Sequence, residues 1–393
     1  MEVPTHRGMA VLCLTGYMSK GKGKMENSRV KLTVTITNYN QKDYIEDAVD
    51  SILKQELDYS YEILIGDDGS TDGSWELLQE KYGDNDNIKM YRMSRDDSIK
   101  EFSNWRHVRL ICFLLKRSRG EYISILDGDD FYSSRDGFQR KIDFLELKEN
   151  KDCIACTSAT IFTGQKGEEP QEIPASLTFR KLTIKDVFFS KEKFYFHIAT
   201  CVFRRSVLKH IDFKTPELLG ADQAILYFIL HYGKLYVMPE YDFTYRILSD
   251  SIWHKGNKAE HAIRSVISFN IARRKYDDFY FRRLWMDRNW ILYVYRNKRS
   301  IPKQIDWEMW KGFIDKYHLD IAKYLMGDRN VSFKVKAEMK ISVIALSILT
   351  FSPVQKCKYV AESMEFLFSR SVPAAEKKER VKETVRKVFP GCK

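Results

Sequence analysis

The chain has 393 residues, of which 44% are hydrophobic and 13% aromatic, so it can build a folded core and is not a disordered polypeptide. The formal net charge of +11 is uneven: residues 1–250 carry 35 basic and 39 acidic side chains, whereas residues 251–393 carry 30 and 15. A basic C-terminal part indicates an anionic partner, either a membrane, a nucleic acid or an anionic ligand, unless its charges are simply solvated.

The first 28 residues are predicted to be a disordered extension. The stretch from Met9 to Met18 is mildly apolar and resembles a weak signal segment, but no clear cleavage site of small residues follows it. A lysine-rich run then precedes Met25. We interpret residues 1–24 as an upstream extension of the reading frame, with Met25 as the natural start. Without an export signal, we expect the protein to be cytoplasmic.

Residues 29–256 alternate between strand and helix patterns. Periodicity predicts strands at 31–37, 62–65, 88–93, 121–126, 153–162, 194–203 and 235–238, and helices at 43–53, 74–82, 102–117 and 223–232. This alternation predicts an α/β domain with a mostly parallel central sheet and helices on both faces. Ligands of such sheets bind beyond the carboxyl ends of the strands.

The seven cysteines are scattered, which fits a reducing compartment better than a disulfide framework. Cys153 and Cys156 form a Cys-x-x-Cys pair within an apolar run, and no second pair follows. We therefore interpret them as core cysteines rather than metal ligands. Residues 257–393 show only helical patterns, which predicts a basic all-helical C-terminal region.

Two acidic clusters each follow a predicted strand. In Asp127-Gly128-Asp129, the glycine permits an unusual backbone angle and close approach, so that both carboxylates can face one side. Mg²⁺ or Mn²⁺ prefers one or two carboxylates together with substrate phosphates, and such an ion would stabilise a diphosphate leaving group. The adjacent Asp130 either caps the next turn or ligates the metal. The alternative for all three is a loop of solvated acids.

The second cluster, Asp67-Asp68-Gly69-Ser70, offers acceptors to a nucleobase or ribose. One of its carboxylates can accept the N–H of a uracil ring, and Tyr39 can stack on that ring. The alternative is an ordinary tight turn, in which Asp and Gly are common.

Four motifs, in this order and spacing, resemble the family 2 glycosyltransferases of GT-A fold. They are Thr-Val-Thr-Ile-Thr-Asn-Tyr-Asn (33–40), Tyr-Ile-Glu-Asp-Ala-Val-Asp-Ser-Ile-Leu-Lys-Gln (44–55), Glu-Ile-Leu-Ile-Gly-Asp-Asp-Gly-Ser-Thr-Asp (62–72) and Gly-Glu-Tyr-Ile-Ser-Ile-Leu-Asp-Gly-Asp-Asp (120–130). The resemblance is strong over residues 31–132, weaker to about 250, and absent from the C-terminal region.

The resemblance implies an inverting transfer of a sugar from a nucleoside diphosphate, expected to be UDP, that depends on Mn²⁺ or Mg²⁺. It places Thr37 and Tyr39 against the nucleotide and Asp68 against uracil. Asp127 would hold the ribose, and Asp129 the metal, with Asp130 as a rival ligand. Arg246, in a segment that resembles the family's closing segment, would pair with a phosphate.

The resemblance also implies a catalytic base at the junction of a loop and a helix. Asp222, in Leu-Gly-Ala-Asp-Gln (219–223), stands at the matching position. The alternative is that Asp222 caps the helix. His197 lies in a segment that resembles the strand behind the acceptor site, and we expect it to be a core or rim histidine rather than a catalytic group.

The acceptor is expected to be a glycan or a lipid-linked molecule of cell-surface polysaccharide synthesis. Lys334, Lys336 and Lys340 precede the apolar run Ile341–Phe351, which is too short to span a membrane but suits a helix on the anionic inner face of the cell membrane. The alternative is a solvated basic surface. A nucleotidyltransferase is disfavoured because no glycine-rich basic loop follows the first strand.

A non-catalytic alternative is a basic protein that binds membranes or nucleic acid on a degenerate transferase fold. The basic residues lie in the C-terminal region, whereas the strand ends are acidic and would repel phosphate without a metal. No nucleic-acid motif is present, so we expect no nucleic-acid partner.

Overall fold

The computed structural model describes residues 30–94, 105–164, 167–189, 194, 196–211, 213 and 222–248. The predicted N-terminal extension, residues 1–28, and the predicted basic helical region, residues 257–393, lie outside these described residues. The same is true of the lysines and the apolar run proposed to contact a membrane. Within the described ranges, no helix has the length and apolar composition needed to cross a membrane.

The described residues form one β-sheet with helices packed against it. The strands are β1 (Leu32–Asn38), β2 (Tyr61–Asp67), β3 (Ile88–Arg92), β4 (Tyr122–Asp127), β5 (Phe131–Tyr132), β6 (Cys153–Gly164), β7 (Gly167–Pro170), β8 (Lys181–Leu182), β9 (Val202–Arg204) and β10 (Lys234–Arg246). The helices are α1 (Ile45–Leu53), α2 (Ser74–Tyr82), α3 (Trp105–Arg117), α4 (Gly137–Glu146), α5 (Ile184–Phe189) and α6 (Asp222–Ile229). Three 3₁₀ turns cover Lys148–Asn150, Ile198–Thr200 and Arg205–His210.

The sheet is mixed, with the order β3-β2-β1-β4-β9-β6-β10-β5; β7 pairs with β6, and β8 with β10. Strands β3, β2, β1 and β4 are parallel, and β6 and β10 are parallel to each other. The short strand β9 lies between β4 and β6 and is antiparallel to both, so β4 and β6 are parallel to each other. The six longer strands β1, β2, β3, β4, β6 and β10 therefore share one direction. The prediction of a mostly parallel sheet was therefore right for the long strands and missed the short antiparallel ones.

Side chains of the central strands alternate between two helical layers. On β1, Leu32, Val34 and Ile36 belong to a buried cluster that includes side chains of α1, α2 and α4. On β2, Ile63 and Ile65 join that cluster, whereas Leu64 points to the other face and packs with α3. A period of two along a strand produces this division. Helices therefore cover both faces of the parallel part, as predicted.

The strand predicted at 194–203 is largely wrong. The 3₁₀ turn Ile198–Thr200 occupies its centre, and only Val202–Arg204 pairs as a strand. A short apolar run is buried whether it forms a strand or a helical turn, so its periodicity does not distinguish the two.

The strand predicted at 235–238 is longer in the structure, where it is β10. Its register on β6 shifts between Val237 and Tyr241, around Pro239, as expected of a residue that cannot donate to the ladder.

The Cys153 and Cys156 side chains are buried and free, which confirms their interpretation as core cysteines. Burial raises the pKa of both thiols. Among the described residues, Cys112 and Cys201 are likewise buried and form no disulfide.

Candidate functional site

The carboxyl ends of β1, β2 and β4 form one polar rim. In the sheet register Thr37 lies beside Asp127 on one side and Gly66 on the other, and Asn38 lies beside Asp67. The two acidic clusters predicted from the sequence therefore end at the same edge of the sheet. Parallel strands carry the main chain to this edge, and the following loops present the carboxylates.

Thr37 and Asp127 contact each other directly. The Thr37 hydroxyl donates to Oδ1 of Asp127 at 2.8 Å. Nε2 of His107, on the first turn of α3, lies 3.6 Å from the same oxygen. The Asp127 side chain is 38% exposed, so it remains open to a ligand while its orientation is held from two sides.

Gly128 is required by close packing rather than by an unusual backbone angle. Its N–H donates to the carbonyl oxygen of Thr37 at 2.9 Å. A Cβ at this position would lie 2.8 Å from that same carbonyl oxygen and 2.5 Å from Oε1 of Gln41. Gly128 is not among the described glycines with positive φ, which are Gly69, Gly73 and Gly167. Any side chain would push the acidic loop away from β1.

Arg246 ties the acidic loop to the end of β10 and to α1. Its main-chain N–H donates to Oδ1 of Asp130 at 2.8 Å, and its Nη1 donates to the carbonyl oxygen of Asp129 at 2.8 Å. Its Nη2 binds Oδ2 of Asp47 at 2.6 Å. The guanidinium also lies 4.4 Å from the centre of the Phe131 ring. The predicted phosphate ligand is thus engaged in holding the loop.

The acidic loop concentrates negative charge. Burial, and then the charge of Asp127, raises the pKa of Asp129 to about 6. Burial and the neighbouring Asp129 also raise the pKa of Asp130, whose side chain is 1% exposed. Oδ2 of Asp130 is buried without a hydrogen-bond partner among the described residues. These carboxylates are costly to ionise together, and a cation would relieve that cost.

The residues of the loop fit a hard divalent cation by their chemistry, since carboxylate oxygens are the ligands that Mg²⁺ and Mn²⁺ prefer. Asp127 and Asp129 are the more accessible of the three acids. Asp130 faces the Arg246 main chain instead, which favours a role in holding the loop. The described part of the chain contains no group of three or more His, Cys, Asp or Glu side chains arranged to hold a metal.

Asp67 and Asp68 have different surroundings. Asp67 is fully buried and accepts from the side chain of Asn38 at 2.7 Å and from the N–H of Ser70 at 3.0 Å, which builds the turn. Asp68 pairs with Arg106 of α3, whose Nε lies 2.8 Å from Oδ1. Asp67 therefore fits the interpretation of this cluster as a turn, and Asp68 fits its interpretation as a ligand site. Tyr39, at the end of β1, is 38% exposed on the same rim.

Asp222 stands at the first position of α6 and approaches His197, with 3.5 Å between Oδ2 and Nε2. The charges of Asp222 and of the acidic loop both act on Tyr245. Burial raises the pKa of the Tyr245 hydroxyl, and so do the charges of Asp130, Asp129, Asp127 and Asp222. Burial and the charges of the predicted base and the predicted ligand loop therefore disfavour ionisation of this hydroxyl, which stays protonated and can donate.

Three partners of the site were not predicted: Arg106, His107 and the hydroxyl of Tyr245. The first two lie on the first turn of α3, in a stretch that carries several basic side chains, and nothing in their spacing distinguishes them from solvated charges. Only the packing of α3 against β2 brings them to the rim. Tyr245 lies in a segment that the sequence did single out, but its place within the field of these carboxylates depends on the pairing of β10 with β6.

Comparison with known proteins finds a family model that matches part of the chain. Residues 33–212 match the family model described as Glycosyl transferase family 2. An uncharacterized protein of Mycobacterium tuberculosis is 22% identical over 232 residues, which are 57% of this chain and 60% of that protein. The putative teichuronic acid biosynthesis glycosyltransferase TuaG of Bacillus subtilis is 30% identical over 121 residues, which are 31% of this chain and 44% of that protein.

The poly(ribitol-phosphate) beta-N-acetylglucosaminyltransferase TarS of Staphylococcus aureus is 24% identical over 234 residues, which are 59% of this chain and 36% of TarS. A crystal structure of TarS residues 1–349 in complex with UDP-GlcNAc superposes with a TM-score of 0.45 at 13% identity, covering 92% of each chain. The chain thus matches at most 60% of the length of these three sequence relatives.

Proposed function

We propose that the chain, whose residues 33–212 match the model of glycosyl transferase family 2, is an inverting transferase of GT-A type. It moves a sugar from a nucleoside diphosphate to a hydroxyl group of a cell-surface polymer or its lipid-linked precursor. The observation that carries the proposal is the meeting of Thr37, Asp127 and the acidic loop at one rim, where the charge of Asp222 acts on the same tyrosine as the charges of that loop.

The donor is proposed to be a UDP-sugar. Asp68, oriented by Arg106, offers carboxylate oxygens to the uracil N–H, and Tyr39 lies exposed at the same rim to stack on the ring. Asp127, which accepts from the Thr37 hydroxyl, is proposed to bind a ribose hydroxyl. The sequence relative TarS is named for the transfer of N-acetylglucosamine to poly(ribitol-phosphate) and is seen with UDP-GlcNAc. A hydroxyl on an anionic polyol or glycan is therefore the acceptor class that we propose.

In the transfer step, a carboxylate oxygen of Asp222 takes the proton of the acceptor hydroxyl. The acceptor oxygen forms a bond with the anomeric carbon, and the bond between that carbon and the diphosphate oxygen breaks, so that its electron pair leaves with the nucleotide. A general base must lie within hydrogen-bond reach of this proton. Asp127 and Asp129 would hold Mn²⁺ or Mg²⁺, which would offset the charge of the diphosphate.

The Arg246 guanidinium contributes by keeping the acidic loop in place, since its contacts with Asp129 and Asp47 use both terminal nitrogens.

We propose that the reaction takes place in the cytoplasm. The basic region 257–393 is proposed to hold the enzyme peripherally on the inner face of the membrane, near a lipid-linked acceptor.

Isothermal titration calorimetry of the full chain with UDP, GDP, dTDP and CDP, with and without Mn²⁺, tests the proposal. We expect metal-dependent binding of UDP that is lost in Asp129→Ala. The control is Asp84→Ala, an exposed acid in the loop before β3, at the opposite end of the sheet. If none of the four nucleotides binds in the presence of Mn²⁺, the active transferase is excluded and a degenerate binding protein becomes the better account.

A further inference from the structure

His197 lies directly behind the proposed base. It precedes the 3₁₀ turn Ile198–Thr200, and its Nδ1 accepts the main-chain N–H of Ala199 at 3.2 Å. In a neutral imidazole, a nitrogen that accepts leaves the proton on the other nitrogen. That nitrogen is Nε2, which lies 3.5 Å from Oδ2 of Asp222. The ring therefore presents an N–H to the carboxylate.

The surrounding side chains fix the direction of this N–H. The His197 ring stacks on Phe243, with 5.0 Å between ring centres, and lies 5.1 Å from the ring of Tyr245. His197 is only 6% exposed, whereas the side chain of Asp222 is 30% exposed. A buried ring of fixed orientation thus faces a more accessible carboxylate at the first position of α6. Contacts of this kind are often long before substrate binds and tighten in the complex.

We propose that His197 is a positioning residue that orients Asp222 for proton removal, an inference that rests on the function proposed above. A contact to Oδ2 sets the plane of the carboxylate and hence the direction of its other oxygen. His197 keeps its proton throughout the reaction, because the acceptor proton passes to Asp222. This role differs from that of a core or rim histidine, which would only cap the 3₁₀ turn and pack against Phe243.

Three substitutions separate orientation from packing. His197→Asn keeps a side-chain acceptor for the Ala199 N–H but is too short to reach Asp222. His197→Phe keeps a ring against Phe243 but has no N–H. His197→Gln can place an amide N–H near the position of Nε2.

The activity readout is UDP release from UDP-GlcNAc by the full chain with Mn²⁺, with water as the acceptor. We expect kcat to fall about tenfold to a hundredfold in the Asn and Phe variants, the size expected for a misplaced catalytic group, with the KM for UDP-GlcNAc unchanged. The Gln variant should recover most of the loss. Equal losses in all three variants, or a loss confined to KM, would overturn the positioning role.

A spectroscopic readout does not depend on turnover. Long-range ¹H–¹⁵N correlation spectra of the imidazoles, with His197 assigned by its absence in His197→Phe, should show the proton on Nε2. The Nε2 resonance should shift in Asp222→Asn. A proton on Nδ1, or no shift in Asp222→Asn, would contradict the inference.

Asp222→Asn also separates the two proposals. If that variant is inactive while His197→Phe keeps full kcat, the positioning role fails and the proposed function stands. If Asp222→Asn keeps full kcat, the base assignment itself is wrong, and the inference about His197 falls with it.

Discussion

Arg106 holds both carboxylate oxygens of Asp68. Its Nε lies 2.8 Å from Oδ1 and 3.1 Å from Oδ2, and its Nη2 lies 2.7 Å from Oδ1. The side chains are 11% and 7% exposed, respectively. Asp68, the residue proposed to contact uracil, is therefore oriented and charge-paired by Arg106. This arginine lies on α3, a helix that the sequence motifs do not include.

Replacing this arginine should weaken nucleotide binding. Arg106→Lys keeps the charge but loses the planar fork that binds both oxygens. We expect the affinity for UDP to fall about tenfold, because a hydrogen bond to a charged group is worth about 1.5–3 kcal/mol. Calorimetry with UDP measures the change. Arg117→Lys, at the exposed end of the same helix, is the control. Equal affinities in wild type and Arg106→Lys would separate the pair from nucleotide binding.

Ionisation of Asp129 should make stability depend on pH. Its pKa is raised from its ordinary value near 3.8 to about 6. Between these values the folded protein binds more protons at this group than the unfolded chain does, so its contribution to stability falls as pH rises from about 4 to about 6. Asp129→Asn removes this term and should gain stability relative to wild type across that window, and no further above it.

Urea denaturation of both proteins in EDTA, at steps between pH 4 and pH 7, measures this difference in unfolding free energy. Asp84→Asn, exposed in the loop before β3, serves as the comparison. A difference between wild type and Asp129→Asn that stays constant over the range would argue against a raised pKa.

Divalent cations should stabilise the wild-type protein at pH 7. An ion held by Asp127 and Asp129 offsets their repulsion, and a ligand at one hundred times its Kd adds about 2.7 kcal/mol to the unfolding free energy. Thermal melting with a Mn²⁺ series tests this, with Asp129→Asn expected to lose the effect. An identical shift in the variant would place the ion elsewhere.

The buried pair of Lys141 and Asp242 should dominate the stability of the region between α4 and β10. Nζ lies 2.8 Å from Oδ2, and both side chains are fully buried, although neither atom makes a well-directed hydrogen bond in the described part of the chain. Burial by itself would raise the pKa of Asp242, but Lys141 and Arg140 outweigh it and lower the value to about 2. Asp242→Asn leaves the lysine charge unpaired and should cost about 3–5 kcal/mol.

A double-mutant cycle with Lys141→Met, followed by urea denaturation, measures this coupling. The double variant should lose less stability than the two single variants do together. Arg140→Met removes the more exposed partner of the same carboxylate and should cost less than Lys141→Met. Strictly additive losses would mean that the two buried charges do not stabilise each other.

Gly128→Ala should displace the acidic loop. The added methyl group would lie 2.8 Å from the carbonyl oxygen of Thr37, a main-chain atom that cannot move without disturbing β1. We expect a loss of about 1–3 kcal/mol, typical of overpacking, together with weaker UDP binding. Gly164→Ala is the control, because its Cβ would come no closer than 3.2 Å to a side-chain atom of Ile247. A variant that binds UDP as wild type does would show that the loop tolerates the change.

The sequence by itself determined the α/β class, the central strands and the meeting of the two acidic clusters. These follow from local periodicity and from one rule, that parallel strands end at the same edge of a sheet. Thr37, Asp68 and Asp127 could therefore be assigned to one rim from the sequence. The buried state of Cys153 and Cys156 followed in the same way from an apolar run.

Only the tertiary structure decided which partners hold these groups. Arg106 reaches Asp68 across 38 positions, and Arg246 reaches the carbonyl oxygen of Asp129 across 117. The short strands β5, β8 and β9 contain two or three residues, too few to show a period. The packing of α3 against β2 and the position of β10 in the sheet determine these contacts. Both depend on the summed burial of many side chains that are distant in sequence, which a local sequence pattern cannot predict.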